Sequence, residues 1–319
     1  MVEKKNAEIG NFNIVFWDRE GKEEPLLDYF DTIVMPALNS GFIRKTNDTE
    51  YFFNDIRIIE FNNEYVVVGN FIKKTVLEKK SDLDENGELI GCNEKYPTAP
   101  FSIFVIYLKN HRMLLVKNQK GSPTLKNFGT TFDSIINRYI KHINQNRKKE
   151  KLPLYPNAAV NVVGIPQAES ISEVLNDVER ITELRLRFYP LNGDADIDFS
   201  GIFGDISNEL RSFTGSRGGE IKLNSPKDKK GVEKIIEKAK GIVEPILRVK
   251  YPGKKNAVTI KNEEISERLE MDFPGTLVDI SLEEVVQQGL TIDSIREVSG
   301  DNLKIYERNK YKILKMIKK

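Results

Sequence analysis

The sequence predicts an α+β fold: a β-rich N-terminal domain with one long helix, a ferredoxin-like (split β-α-β) second domain, and C-terminal helices. Three observations predict it. Up to residue 117 the apolar residues fall mainly in short runs bounded by polar turns. Between residues 181 and 260, strand-period and helix-period segments alternate. From residue 282 onward the spacing is helical again. At 319 residues the chain is longer than one core usually fills, so about two domains are expected.

The first half reads as follows. Residues 12–17 (FNIVFW) form a short apolar run, and residues 19–24 are polar and turn-like. Residues 26–38 carry apolar side chains at helical spacing, interrupted at Pro36. Residues 52–60 (FFNDIRIIE) and 65–77 (YVVVGNFIKKTVL) are β-rich, and the asparagine pair between them signals a hairpin. Residues 82–91 (DLDENGELIG) read as a polar loop or another hairpin tip. Residues 100–107 and 112–117 form a second pair around Lys109-Asn110-His111. Leu125, Phe128, Phe132, Ile135, Ile136, Tyr139, Ile140 and Ile143 then fall at helix spacing. A very polar stretch, 144–151, and Pro153, Pro156 and Pro166 mark the first domain boundary.

The second half changes character. In residues 181–189 (ITELRLRFY), Leu184, Leu186 and Phe188 face one way and Arg185 and Arg187 the other, a strand with one buried face. A polar loop, 192–198, precedes a helix over 199–213 with Ile202, Phe203, Ile206, Leu210 and Phe213 as its stripe. Residues 220–224 read as a strand. A second helix is expected over 226–246, opened by Ser225-Pro226. Residues 247–251 and 257–260 read as strands, and 282–288 and 303–319 as helices. The domains are therefore drawn at 1–165, 175–262 (ferredoxin-like and basic) and 263–319 (an acidic segment and helical tail). A hinge is placed near residues 164–172.

Composition narrows the function. Lys+Arg is 49 and Asp+Glu 48, a net charge of +1. A nucleic-acid role must therefore come from how charge is distributed. A single cysteine, Cys92, forms no internal disulfide and builds no cysteine zinc site. Two histidines, His111 and His142, supply imidazole sites poorly and read as surface residues. The first ten residues lack an apolar signal-peptide core, and no apolar run spans a bilayer. A cytoplasmic protein is expected, with no cofactor.

Charge is unevenly placed. Residues 211–255 hold 13 basic and 5 acidic residues, whereas residues 261–303 hold 3 and 11. A basic lobe of this kind suits phosphates, because each one neutralised releases a counterion. Lys227, Lys229 and Lys230 sit in the expected first helical turn, where the dipole also favours an anion. Arg185, Arg187, Arg217, Lys222, Lys254 and Lys255 extend the candidate surface. The alternative is a solvated face balanced by the acidic segment.

Other motifs carry less. Asp194, Asp196 and Asp198 form a D-x-D-x-D loop that would suit Mg²⁺ in a nuclease, but the calcium-loop glycine and distant glutamate are missing. Residues 215–219 (GSRGG) lack the lysine–serine/threonine pair of a phosphate loop and precede a strand. The tail, with Ile305, Ile313, Leu314, Met316 and Ile317 among lysines, is amphipathic and basic. It would touch an anionic membrane or a partner, or dock as a terminal helix.

Residues 202–210 (IFGDISNEL), 220–223 (EIKL) and 226–240 (PKDKKGVEKIIEKAK), with PFSIFV at 100–105 and GSPT at 121–124 in the same order, resemble the A component of the Rex-type phage-exclusion systems of lambdoid prophages. The matches are scattered over residues 100–245, and the chain is longer than that family. The resemblance implies a two-domain, homodimeric protein that binds double-stranded DNA without sequence preference. It implies a non-enzymatic sensor of phage infection, acting in abortive infection through a membrane-channel partner. Lys227, Lys229 and Lys230 match the family's basic helix start. A metal-dependent nuclease and a protein-interaction scaffold are the competing expectations.

Overall fold

Antiparallel pairing dominates the first sheet. The computed structural model describes residues 2–17, 21, 23–190, 192, 210, 213–216 and 218–317. The chain opens with a long strand, β1 (Val2–Trp17), then a short β2 (Glu23–Pro25). Residues 26–38 coil without a break through a 3-10 turn (Leu26–Tyr29), a π turn (Phe30–Val34) and α1 (Met35–Leu38). Pro36 stands where the π turn gives way to α1. Strands β3 (Arg44–Thr46), β4 (Thr49–Phe61), β5 (Glu64–Leu83), β6 (Leu89–Thr98), β7 (Phe101–Tyr107) and β8 (Arg112–Lys117) follow; β3–β4, β4–β5, β5–β6 and β7–β8 are hairpins, and β7 pairs back on β5 beside β6. The β4–β5 turn is the expected asparagine pair. Asn62 and Asn63 have φ of 50° and 65°, the left-handed values that a two-residue hairpin turn demands. Sheet order, with a last strand β14 (Arg268–Pro274) at one edge, is β14-β1-β8-β7-β5-β4-β3.

Both faces of this sheet are covered, which is why β7 and β8 read as continuous apolar runs. Helix α2 (Leu125–Lys149) starts on Thr124, whose hydroxyl accepts from Asn127 N–H. It packs Phe128, Phe132, Ile135 and Ile136 against Phe12, Phe53, Phe71 and Phe104. Phe128 is the hub, with ring centroids 5.0–5.8 Å from Phe12, Phe53, Phe71 and Phe104. The opposite face, with Val66, Val68, Val105 and Leu114, lies under Leu282, Val285 and Val286.

Strand β9 (Asn157–Gly164) pairs with the second half of β1 and leads into α3 (Ala168–Asn176). Strands β10 (Arg180–Phe188) and β11 (Gly219–Asn224), helix α4 (Lys229–Lys238), and strands β12 (Val243–Lys250) and β13 (Val258–Ile260) build a second sheet of order β11-β10-β12-β13. Its pairings are antiparallel throughout. Helices α3 and α4 cover one face through Ile171, Leu175, Val232 and Ile236, against Leu184, Leu247 and Val249. The α+β class is as expected, but the strands depart from a ferredoxin-like order. There, the first two strands would be parallel and separated; here β10 and β11 are antiparallel neighbours. The β11–α4–β12 crossover does straddle β10. Most of the helix expected over 199–213 lies outside the described residues.

The helix expected over 226–246 is shorter. Lys240 and Gly241 take positive φ (42° and 77°), and the chain turns into β12, where Pro245 has no helical N–H to lose.

The residues expected as a separate tail, 263–319, return to the first sheet. After α5 (Asn262–Ile265), β14 (Arg268–Pro274) pairs along the first residues of β1. Helix α6 (Leu282–Gly289), short α7 (Asp293–Arg296) and α8 (Gly300–Ile317) complete the chain. Helix α8 docks through buried Tyr306 and Ile313, with Lys315 2.8 Å from Asp31 and Arg308 2.8 Å from Asp28. Two of its lysines thus meet the acidic 26–34 coil, Lys315 through Asp31 and Lys312 through the carbonyl oxygens of Leu27 (3.4 Å) and Asp28 (2.6 Å), as expected of a docked terminal helix. No described helix is long and apolar enough to cross a membrane.

Candidate nucleic-acid interface

Register brings the basic residues of the second sheet to one end. Strand β10 begins at Arg180, which pairs with Lys250, the last residue of β12. Strand β11 ends at Asn224, opposite Glu183. The loop into α4 and the loop between β12 and β13 therefore leave the sheet at the same end. Backbone bonds from Glu179 N to Lys250 O (2.8 Å) and from Ser225 N to Thr182 O (3.0 Å) hold those loops together. Exposed Lys227 and Lys230 stand on the first loop and turn, and exposed Lys254 and Lys255 on the second. Arg180, Arg248 and Lys250 join them, against Asp177, Glu179 and Asp228. None of Lys227, Lys230, Lys254 and Lys255 is held in an ion pair among the described residues.

Four of the expected contacts are used up inside the fold. Lys229 does not face outward. Its ammonium donates to the carbonyl oxygens of Leu175 (3.2 Å) and Val178 at the end of α3, the negative end of that helix. The open face of β10 and β11 is a lattice of opposite charges. Glu183 is 2.6 Å from Lys222 and 2.8 Å from Arg185, and Arg187 is 2.7 Å from Glu220. The Lys222 hydrogen bond holds the Glu183 carboxyl below its usual range. Tyr189 donates to Glu244 (2.6 Å), and burial together with that carboxylate pushes its hydroxyl well up. Lys222, Arg185 and Arg187 are thus neutralised where they stand.

The start of α4 also differs from expectation. Asp228, not Ser225, is the N-cap, and its side chain caps no N–H. That carboxylate lies over the first turn, 2.8 Å from where a Cβ on Gly231 would be. The helix end already faces an acid, so the surface rests on ammonium groups and not on the dipole. Arg217 and the loop Asp194, Asp196 and Asp198 lie outside the described residues. Among the described residues, no three His, Cys, Asp or Glu side chains come together as a metal site.

His111, expected on the surface, is buried with φ of 57°. The neighbouring Asn110 explains why: its amide donates to the carbonyl oxygens of Ile295 (2.5 Å) and Glu297 (2.8 Å), which bring the last residues over the β7–β8 turn. Cys92 is half-buried and donates to Lys79 O (3.3 Å).

A groove of about 1050 Å³ runs past β1, the start of α2 and the end of β9, lined in part by Lys4, Lys117, Lys120, Lys126 and Arg268. The sequence had not marked it. Its cations are mostly paired: Lys117 with Glu8, Lys126 with Glu263 (2.9 Å) and Lys4 with Glu270 (3.2 Å). Glu8 also accepts from Leu125 N–H (3.0 Å), so the positive end of α2 is occupied by the protein's own carboxylate. The groove therefore suits a polar ligand better than a polyanion.

Arg180 and Lys250 were missed as a pair because their proximity is a cross-strand register, invisible to local charge counting. No family model matches the chain, and no curated protein matches it.

Proposed function

We propose that this protein is a non-enzymatic, sequence-independent binder of double-stranded DNA, serving as the sensor of an abortive, phage-exclusion type of defence. The observation that supports the reading is the convergence of Lys227, Lys230, Lys254 and Lys255 with Arg180 and Lys250 at one end of the second sheet. Flexible ammonium groups spread over two loops suit phosphates along a duplex. Five of the six cations are lysines, which act as point charges, and this favours backbone over base readout. Signalling to a membrane-channel partner belongs to the same proposal and rests on the family resemblance alone.

The test is binding to a labelled random-sequence duplex across a salt series, with and without Mg²⁺, on a gel that also reports cleavage. Intact DNA bound with a steep salt dependence supports the reading. Cleavage only with Mg²⁺ would replace it with a nuclease acting through Asp194, Asp196 and Asp198. No binding at low salt would sink both.

A further inference from the structure

The hairpin of β5 and β6 outruns its sheet. Strand β4 stops pairing with β5 at Lys74, and β6 has no strand partner but β5 among the described residues. From Thr75 to Thr98 the two strands form a ribbon. Register sets Leu77 opposite Tyr96, and Leu83 opposite Leu89. Alternation puts Lys73, Leu77, Lys79 and Leu83 on one face, and the partners Tyr96, Glu94 and Leu89 share it. Leu77 is 62% exposed, Tyr96 48%, Leu83 62% and Leu89 79%. A bare two-stranded ribbon is marginal in water, and paired exposed apolar side chains mark a contact surface.

Charge identifies what covers it. The turn end is acidic, with Asp82, Asp84, Glu85 and Glu88. Where the ribbon leaves the body stand Lys73, whose ammonium lies 3.3 Å from Gly121 O, and Lys120 next to that carbonyl. Between the two apolar pairs, Lys79 lies 4.0 Å from Glu94 and pairs more closely with Asp82, which leaves Asp84, Glu85 and Glu88 as the acids of the turn. From body to turn the face runs basic, apolar, ion pair, apolar, acidic. Reversed, this order is its own complement.

We propose that the ribbon face is an isologous interface for a second copy of this chain. The copies lie antiparallel about a two-fold axis near Lys80 and Cys92. Leu77 and Tyr96 of each copy pack on Leu83 and Leu89 of the other, and each acidic turn sits against the other's Lys73 and Lys120. Pairing through the free edge of β6 is disfavoured by Pro97 and by the register shift between Lys79 and Ser81. The acidic turn also repels nucleic acid, so the ribbon is not a second DNA contact.

The test is sedimentation of the full chain without DNA, so its outcome is independent of the DNA-binding reading. The wild-type protein sediments as a dimer. Leu83→Asp with Leu89→Asp, both at exposed sites, weakens the dimer about a hundredfold or more with an unchanged circular dichroism spectrum. Glu85→Lys with Glu88→Lys, and separately Lys73→Glu with Lys120→Glu, each give monomers, and mixing the two restores a dimer. Cys92 is the chain's single cysteine, so a short bismaleimide joins the dimer through Cys92 alone. A wild-type monomer, a dimer indifferent to the leucine substitutions, or charge-reversed chains that fail to recombine overturns the proposal.

Discussion

Lys229 is bonded to the carbonyl oxygen of Leu175 at 3.2 Å, so a lysine at the start of one helix closes the end of another. It therefore separates from Lys227 and Lys230 in what substitution does. Lys229→Ala leaves those α3 carbonyls without their cation and costs about 1 kcal/mol of folding stability. It leaves the salt dependence of DNA binding in place. Lys227→Ala with Lys230→Ala does the reverse: the melting temperature holds, and the slope of log affinity against log salt falls by about one per lysine removed. Denaturant melts and the duplex salt series measure the two effects.

The charged lattice on β10 and β11 gives a contrasting expectation. Arg187 lies against Glu220, with Glu244 at 4.0 Å. Arg187→Ala therefore leaves DNA affinity and its salt slope where they are, because a cation already facing two carboxylates releases few counterions. Lys254→Ala with Lys255→Ala lowers both. A gel-shift comparison of these two variants at one salt concentration, then across the series, decides it.

Local pattern carried the elements and little of their assembly. The Asn62-Asn63 turn, the α2 stripe from Leu125 to Ile143 and the alternation of Leu184 and Leu186 are short-range signals, and each produced the element expected. Strand β14 has the same alternation in Leu269, Met271 and Phe273, but its partner is the first strand, some 260 residues away in sequence, as in the pairing of Met271 with Lys5. Nothing local specifies that return. The candidate site divides in the same way. Lys227, Lys230, Lys254 and Lys255 were readable as charge. That these stay out of ion pairs among the described residues while Lys229 is spent on Leu175, Lys222 on Glu183 and Arg187 on Glu220 depends on contacts that composition does not encode.

Phe128 tests the packing account. Its ring is fully buried and meets aromatic rings from β1, β4, β5 and β7. Phe128→Ala opens a cavity that rigid strands cannot collapse into, and costs about 3–5 kcal/mol. Phe128→Leu keeps most of the volume and costs less. Equal losses in urea melts of the two variants would mean that ring contacts, rather than filled volume, hold α2 on the sheet.

Asp133 gives the pH dependence. It sits half-buried on α2, where desolvation raises its carboxyl above the usual value despite hydrogen bonds from Asn137 Nδ2 (3.2 Å) and Val160 N (3.4 Å). The folded state therefore keeps this proton to a higher pH than the unfolded chain does. Stability falls as pH rises from about 4 through the raised value, because the unfolded state binds fewer protons there. Asp133→Asn retains the acceptor oxygen and removes the charge. The variant melts higher than the wild type at pH 7, and the gain vanishes below about pH 4, where the wild-type carboxyl is protonated in both states. Melting curves of the two proteins between pH 3 and 8 measure this. A gain that persists unchanged at the acid end would assign it to packing rather than to the desolvated charge.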